Sequence, residues 1–189
     1  ISGLAKAASV LGDADALKLA TDAAQFIHDK LCATPGKDLR RSWREGSSNI
    51  PAFAADYAML IQALLDLYEA GFDSKWLQWA VSLQTEFDGL YWDKEHSGYF
   101  SVSRSMPDAI LSVKDDSDSA EPSPNSVAAL NLVRLGSMLA REDYREQGGK
   151  ILKLFGASLE KHPFSVPVMV MALDFQKRGD MEIVLAGNK

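Results

Sequence analysis

Carboxylates, arginines and large aromatic residues gather in three stretches of this chain, each lying between apolar segments with helical patterning. The most acidic stretch, DDSDSAEPSPNS, sets Asp115, Asp116, Asp118 and Glu121 ahead of Pro122, Pro124 and Asn125. Two carboxylates with different environments can divide acid and base roles between them. The prolines stiffen the second half of the loop, which suits the aiming of Asp118 or Glu121, whereas Asp115 and Asp116 read as solvated. A calcium loop starting at Asp116 fails, because Ala120 falls at the third ligand position and Glu121 where a glycine is required. No metal is expected.

The second stretch, RRSWREG, supplies Arg41, Trp43, Arg44 and Glu45. A guanidinium fork holds carboxylates or hydroxyls, and an indole face stacks on a flat ligand. The same residues also suit a surface strand whose arginines pair with Glu45. Asp56 and Tyr57 follow at the start of the next helix. Asp56 shares a face with Phe53, Leu60 and Leu64, so its carboxylate must be paired or have a raised pKa. It is either the partner of an arginine in RRSWREG or a pocket carboxylate. In the third stretch, LYWDKEHSGYF, Tyr91, Trp92, Tyr99 and Phe100 make either an aromatic platform or the apolar face of a hairpin. His28, His96 and His162 stand apart and form no metal-spaced cluster. No GxSxG, P-loop or GxGxxG pattern occurs, so no cofactor is expected.

The elements that must position these residues are helices. Apolar residues recur at helical spacing over 2–11 and 14–32, with Gly12 as a stop and Asp13 or Asp15 as a cap. Further helices are expected over 51–70, with Pro51 in the first turn, and over 74–88, 123–140, 142–159 and 164–178. Ser123 or Asn125 is placed to cap the fifth. LRRSW reads as strand-like, LYWDKEHSGYFSV as a β-hairpin, and EIVLAG as a terminal strand. Acidic turns open the second helix of each pair at DADALKLA, FDSKWLQWA and REDYREQG. Helix, short turn, helix and long connection recur, the pattern of stacked helical hairpins that bury one another's apolar stripes. The fold class is all-α, a partial alpha/alpha toroid with short β-hairpin connections, in a single domain over 1–189.

Composition bounds the partners. Of the 189 residues, 47% are hydrophobic and 24% charged, which is globular. The formal net charge of -6 carries no basic run, arguing against nucleic acid or an anionic membrane as partner. No apolar stretch approaches the roughly 18–20 residues of a membrane span, and no signal peptide is read at Ile1. Cys32, the one cysteine, reads as a buried or half-buried helical residue and fits a reducing, cytoplasmic setting.

The blocks FAADYAMLIQALLDLYEAGFDSKWLQWAVSLQTEFDGLYWDKEHSGYF and KDDSDSAEPSPNSVAALNLVRLG resemble the YyaL-like proteins, which include the spermatogenesis-associated thioredoxin-like proteins of animals. The resemblance covers essentially the whole chain. It implies part of a six-hairpin glycosidase-like toroid, similar in shape to acylglucosamine epimerases, without the family's thioredoxin-like domain. A sugar-related site then follows by analogy of fold. The candidate catalytic residues are Asp56, Glu121 and Asp118. Arg44, Trp43, Tyr57, Asn125 and Trp92 are expected against a small carbohydrate. Epimerases of this shape are expected to use histidines, which these three do not match. The alternative is a non-catalytic interaction module serving the missing domain, with open hairpin edges available for association.

Overall fold

A computed structural model describes residues 1–46, 50–103, 113–115 and 117–179. Eight α-helices are found among them: α1 Ser2–Leu11, α2 Ala14–Lys30, α3 Ala54–Gly71, α4 Ser74–Tyr91, α5 Pro124–Met138, α6 Glu142–Leu154, α7 Gly156–Lys161 and α8 Pro167–Arg178. Local chemistry sets several of the ends. Gly12 takes the left-handed conformation, φ 67°, that closes α1. Asp13 then accepts from the N–H groups of Asp15 and Ala16 to open α2. Asp73 caps α4 and Ser123 caps α5 in the same way.

The helices pair as α1–α2, α3–α4 and α5–α6. The first helices of these pairs pack side by side, α1 on α3 and α3 on α5, with α8 continuing the row against α5. Helices α2, α4 and α6 lie behind it. This inner and outer layering is that of an alpha/alpha toroid. Helix α5 sits deepest: Pro124 through Gly136 are all buried. The core continues as an aromatic column, with Tyr57 stacked on Phe87 at 5.7 Å and Phe87 on Tyr99 at 4.0 Å.

Short turns join the two helices of a pair at one end, so the long connections collect at the other, beside the N-termini of α3, α5 and α8. The first contains an antiparallel pair, β1 Cys32–Thr34 and β2 Lys37–Leu39, in the register Cys32↔Leu39 and Thr34↔Lys37. Gly36 turns it at φ 71°, with its carbonyl accepting from Trp79 Nε1 at 3.0 Å.

The structure departs from sequence expectation in specific places. Cys32 is half-buried but begins β1, and burial pushes its thiol up to about 11. Pro51 lies outside α3, bridged to Arg40, and the helix starts three residues later behind Phe53. The expected 90–102 hairpin is reduced to one bridge, Trp92↔Tyr99, because α4 continues through Tyr91. The expected 142–159 helix breaks at Phe155, ahead of Gly156. The last expected helix starts at Pro167 behind a 3-10 turn, Pro163–Ser165, since two prolines interrupt the backbone ladder. EIVLAG and Asp116 lie outside the described residues.

Candidate functional site

The acidic connection folds as a brace as much as a loop. Asp118 accepts from the N–H of Ser123 through Oδ1 at 2.8 Å and from that of Val168 through Oδ2 at 3.0 Å. Its own N–H donates to the Ser165 carbonyl at 2.7 Å. This candidate carboxylate therefore ties the start of α5 to the start of α8, with both oxygens on backbone. Asn125 is likewise structural. Fully buried, it accepts from the Tyr99 N–H at 2.7 Å and donates to the Tyr99 carbonyl at 3.0 Å. Its amide thereby closes the end of the connection as a strand partner would.

Glu121 is placed differently. Its carbonyl accepts from the Ser119 N–H at 3.0 Å, but its exposed carboxylate makes no hydrogen bond among the described residues. It lines a cleft of about 350 Å³ with Asp115, Ser117, Ser119, Ser123 and, from the first turn of α3, Ala55. Asp115, expected to be merely solvated, also stands in this cleft and accepts from Ser101 Oγ at 2.9 Å. One carboxylate is thus held and one open, among three serines.

Asp56 faces elsewhere. Its Oδ2 accepts from the Phe53 N–H at 2.7 Å and from Arg41 Nη1 at 3.1 Å, while the Arg41 guanidinium lies 4.6 Å from the Phe53 ring centre. Together these hold the entry to α3. Arg40, Arg41 and Asp56 rim a groove of about 720 Å³ whose apolar floor includes Ile27, Leu31, Leu39 and Met59. Since Ala55 lines the cleft and Asp56 the groove, the first turn of α3 stands between Glu121 and Asp56, two of the three candidate catalytic carboxylates.

The expected binding residues do not converge on either. Tyr57 is buried in the aromatic column and donates to Glu86 Oε1 at 2.5 Å; burial and that glutamate push its phenol far above the ordinary range. Arg44 is exposed, its N–H on the Gly46 carbonyl at 3.1 Å, and lines neither the cleft nor the groove. Trp43 stands edge-on to Phe26 at 5.5 Å. Trp92 packs edge-on to Tyr99 at 5.0 Å and lines a third opening, of about 470 Å³, with Asp88, Lys94, Glu146 and Lys150. His28 pairs with Asp29 on α2 at 2.9 Å, and no histidine lines the cleft.

Sequence reasoning missed one polar cluster. Asp88 Oδ1 accepts from Tyr99 Oη at 2.5 Å, Gln84 Nε2 at 2.8 Å and Gln147 Nε2 at 2.9 Å. Burial raises the Asp88 carboxyl despite these three donors, and burial beside Asp88 pushes the Tyr99 phenol well above its usual value. Gln84 and Asp88 are four apart on α4 and share a face, the one sequence signal; Tyr99 and Gln147 arrive from other elements.

The fold is that of an alpha/alpha toroid, a class it shares with a solved cellobiose 2-epimerase from Bacillus thermoamylovorans B4167. The two superpose with a TM-score of 0.68 at 14% identity, over 95% of this chain and 54% of that one. By sequence the whole chain matches spermatogenesis-associated protein 20 of Rattus norvegicus, 38% identical over 197 residues, and of Homo sapiens, 36% identical over 198. The chain is a homologue of a segment of these proteins and spans about a quarter of their length, 25% in each case. No known protein-family profile matches it.

Proposed function

We propose that this chain is part of a carbohydrate-binding, glycosidase-like toroid wall whose sugar site is the cleft between the starts of α3 and α5. The observation that carries the reading is the Glu121 carboxylate, unpartnered among the described residues in a cleft also lined by Asp115 and the exposed serines Ser117 and Ser119. Sugar hydroxyls are donors and acceptors at once. A carboxylate accepts from two neighbouring hydroxyls, and serine oxygens complete the exchange. Among the described residues no cationic side chain lines the cleft, which favours an uncharged polyol over a phosphate or sugar acid. The fold shared with a cellobiose 2-epimerase supports the same class of ligand by analogy.

In this arrangement Glu121 hydrogen-bonds the sugar and is the group able to take or return a proton. Asp115, fixed by Ser101, orients the ring. A two-carboxylate mechanism needs both groups on one bond, and Glu121 and Asp115 line the same cleft. The test is calorimetric titration with a panel of neutral mono- and disaccharides including cellobiose. Glu121→Gln should weaken binding about tenfold, the loss of a charge-assisted hydrogen bond, whereas Asp56→Asn should change it less than about twofold. Binding unaffected by Glu121→Gln refutes the assignment. A protein that binds none of the sugars is better read as an interaction module.

A further inference from the structure

The groove of about 720 Å³ beside the entry to α3 takes no part in the proposed sugar site. It opens where α1, α2 and α3 meet the first long connection. Its floor is made by Ile27 of α2, Leu31 just beyond it, Leu39 of β2 and Met59 of α3. None of these side chains has a hydrogen-bonding group for a sugar hydroxyl. Ile27, Leu31 and Met59 are only half-buried, so the groove presents apolar surface to whatever enters it.

The rim is charged and unbalanced. Arg41 and Asp56 pair with each other at 3.1 Å. Arg40 lines the groove beside them, and its backbone is held by its own N–H on the Leu31 carbonyl at 2.7 Å and by the bridge to Pro51. Its side chain is half-buried, yet the guanidinium makes no hydrogen bond or ion pair among the described residues. Asp56 is the one carboxylate in the lining against these two guanidiniums, which leaves one positive charge in excess.

We propose that the groove binds a small amphipathic carboxylate, with its apolar chain on the Ile27–Leu31–Leu39–Met59 floor and its carboxylate on Arg40. A guanidinium fork matches the planar carboxylate and takes its single charge. A phosphate would bring more charge than Arg40 has to spare, and a sugar would lay hydroxyls on a floor without partners for them. The volume falls within the range of small-molecule pockets, roughly 300–1,000 Å³, which favours such a ligand over a second protein surface. The site is separate from the sugar cleft and does not depend on it.

The test titrates the protein with decanoate, kept below the concentration at which it forms micelles, and with decanol as its uncharged counterpart. Methyl chemical shifts should move at Ile27, Leu31, Leu39 and Met59, and decanoate should bind about tenfold or more tighter than decanol. Arg40→Met keeps an apolar stem without the charge; it should weaken decanoate about tenfold or more and change decanol less than about twofold. Arg40→Lys keeps the charge without the fork and should fall between, while Glu121→Gln should leave decanoate binding unchanged. Equal affinities for decanoate and decanol in the parent chain would overturn the proposal without recourse to any variant. So would undiminished decanoate binding in Arg40→Met, or loss of binding in the same chain continued to the length of its relatives, since further polypeptide would then fill the groove.

Discussion

Two side chains of the acidic connection, Asp118 and Glu121, differ in what already holds them, and their substitutions should separate accordingly. Asp118→Ala leaves two backbone N–H groups without acceptors, at the start of α5 and of α8. It should cost about 2–3 kcal/mol, read as a lower urea midpoint. Glu121→Gln, at an exposed side chain, should leave that midpoint unchanged while weakening sugar binding. Nearby, burial pushes the Asp93 carboxyl up, but Lys114 at 2.8 Å and the N–H groups of Glu95 and His96 outweigh it and bring the group down to about 2. A carboxyl lower in the folded chain than in the unfolded one stabilises above the unfolded value. Its contribution is therefore complete above about pH 4 and lost as the pH falls through about 2. Thermal melts across that window should show a steeper acid loss in the parent chain than in Asp93→Asn.

At the scale of elements, much was legible in the sequence because its causes are local. The spacing of Leu17, Ala20, Ala24 and Ile27 marked α2, and Asp13 and Ser123 stood where caps belong. What escaped notice depends on contacts across the fold. Asp118 reads as a loop carboxylate until Val168, fifty positions later, arrives with a bare N–H. That Asp56 pairs with Arg41 rather than Arg44 depends on how the connection crosses the start of α3. The packing of α5 on α6 is a similar case. A Cβ at Gly136 would stand 2.5 Å from Arg145 Cγ and 3.1 Å from the Arg141 carbonyl, whereas one at Gly3 would meet nothing within 4 Å. Gly136→Ala should therefore destabilise by about 1–3 kcal/mol through overpacking. Gly3→Ala should stabilise by up to about 1 kcal/mol through helix propensity. Chemical denaturation of the two variants checks both signs.

Across the whole molecule, the inner row is joined by charge as well as by apolar contact. Arg134 on α5 reaches Asp66 at 2.8 Å and Glu69 at 2.9 Å on α3, and Lys6 on α1 lies 3.6 Å from the same buried Asp66. Arg134→Leu would leave Asp66 nearly unpaired inside the row and should cost about 3–5 kcal/mol, with Asp66→Leu added in the same chain recovering much of it. No helix among the described residues is long and apolar enough to cross a membrane. The long connections gather at the end of this row where α3, α5 and α8 begin, and the proposed sugar cleft lies there. Amide chemical-shift mapping during titration with cellobiose tests that placement most directly. Shifts should concentrate at Ser117, Ser119, Glu121 and Ser123, and in Glu121→Gln they should need about tenfold more cellobiose. Shifts confined to the groove at Ile27, Leu31 and Met59, or to the opening at Trp92 and Lys150, would contradict it.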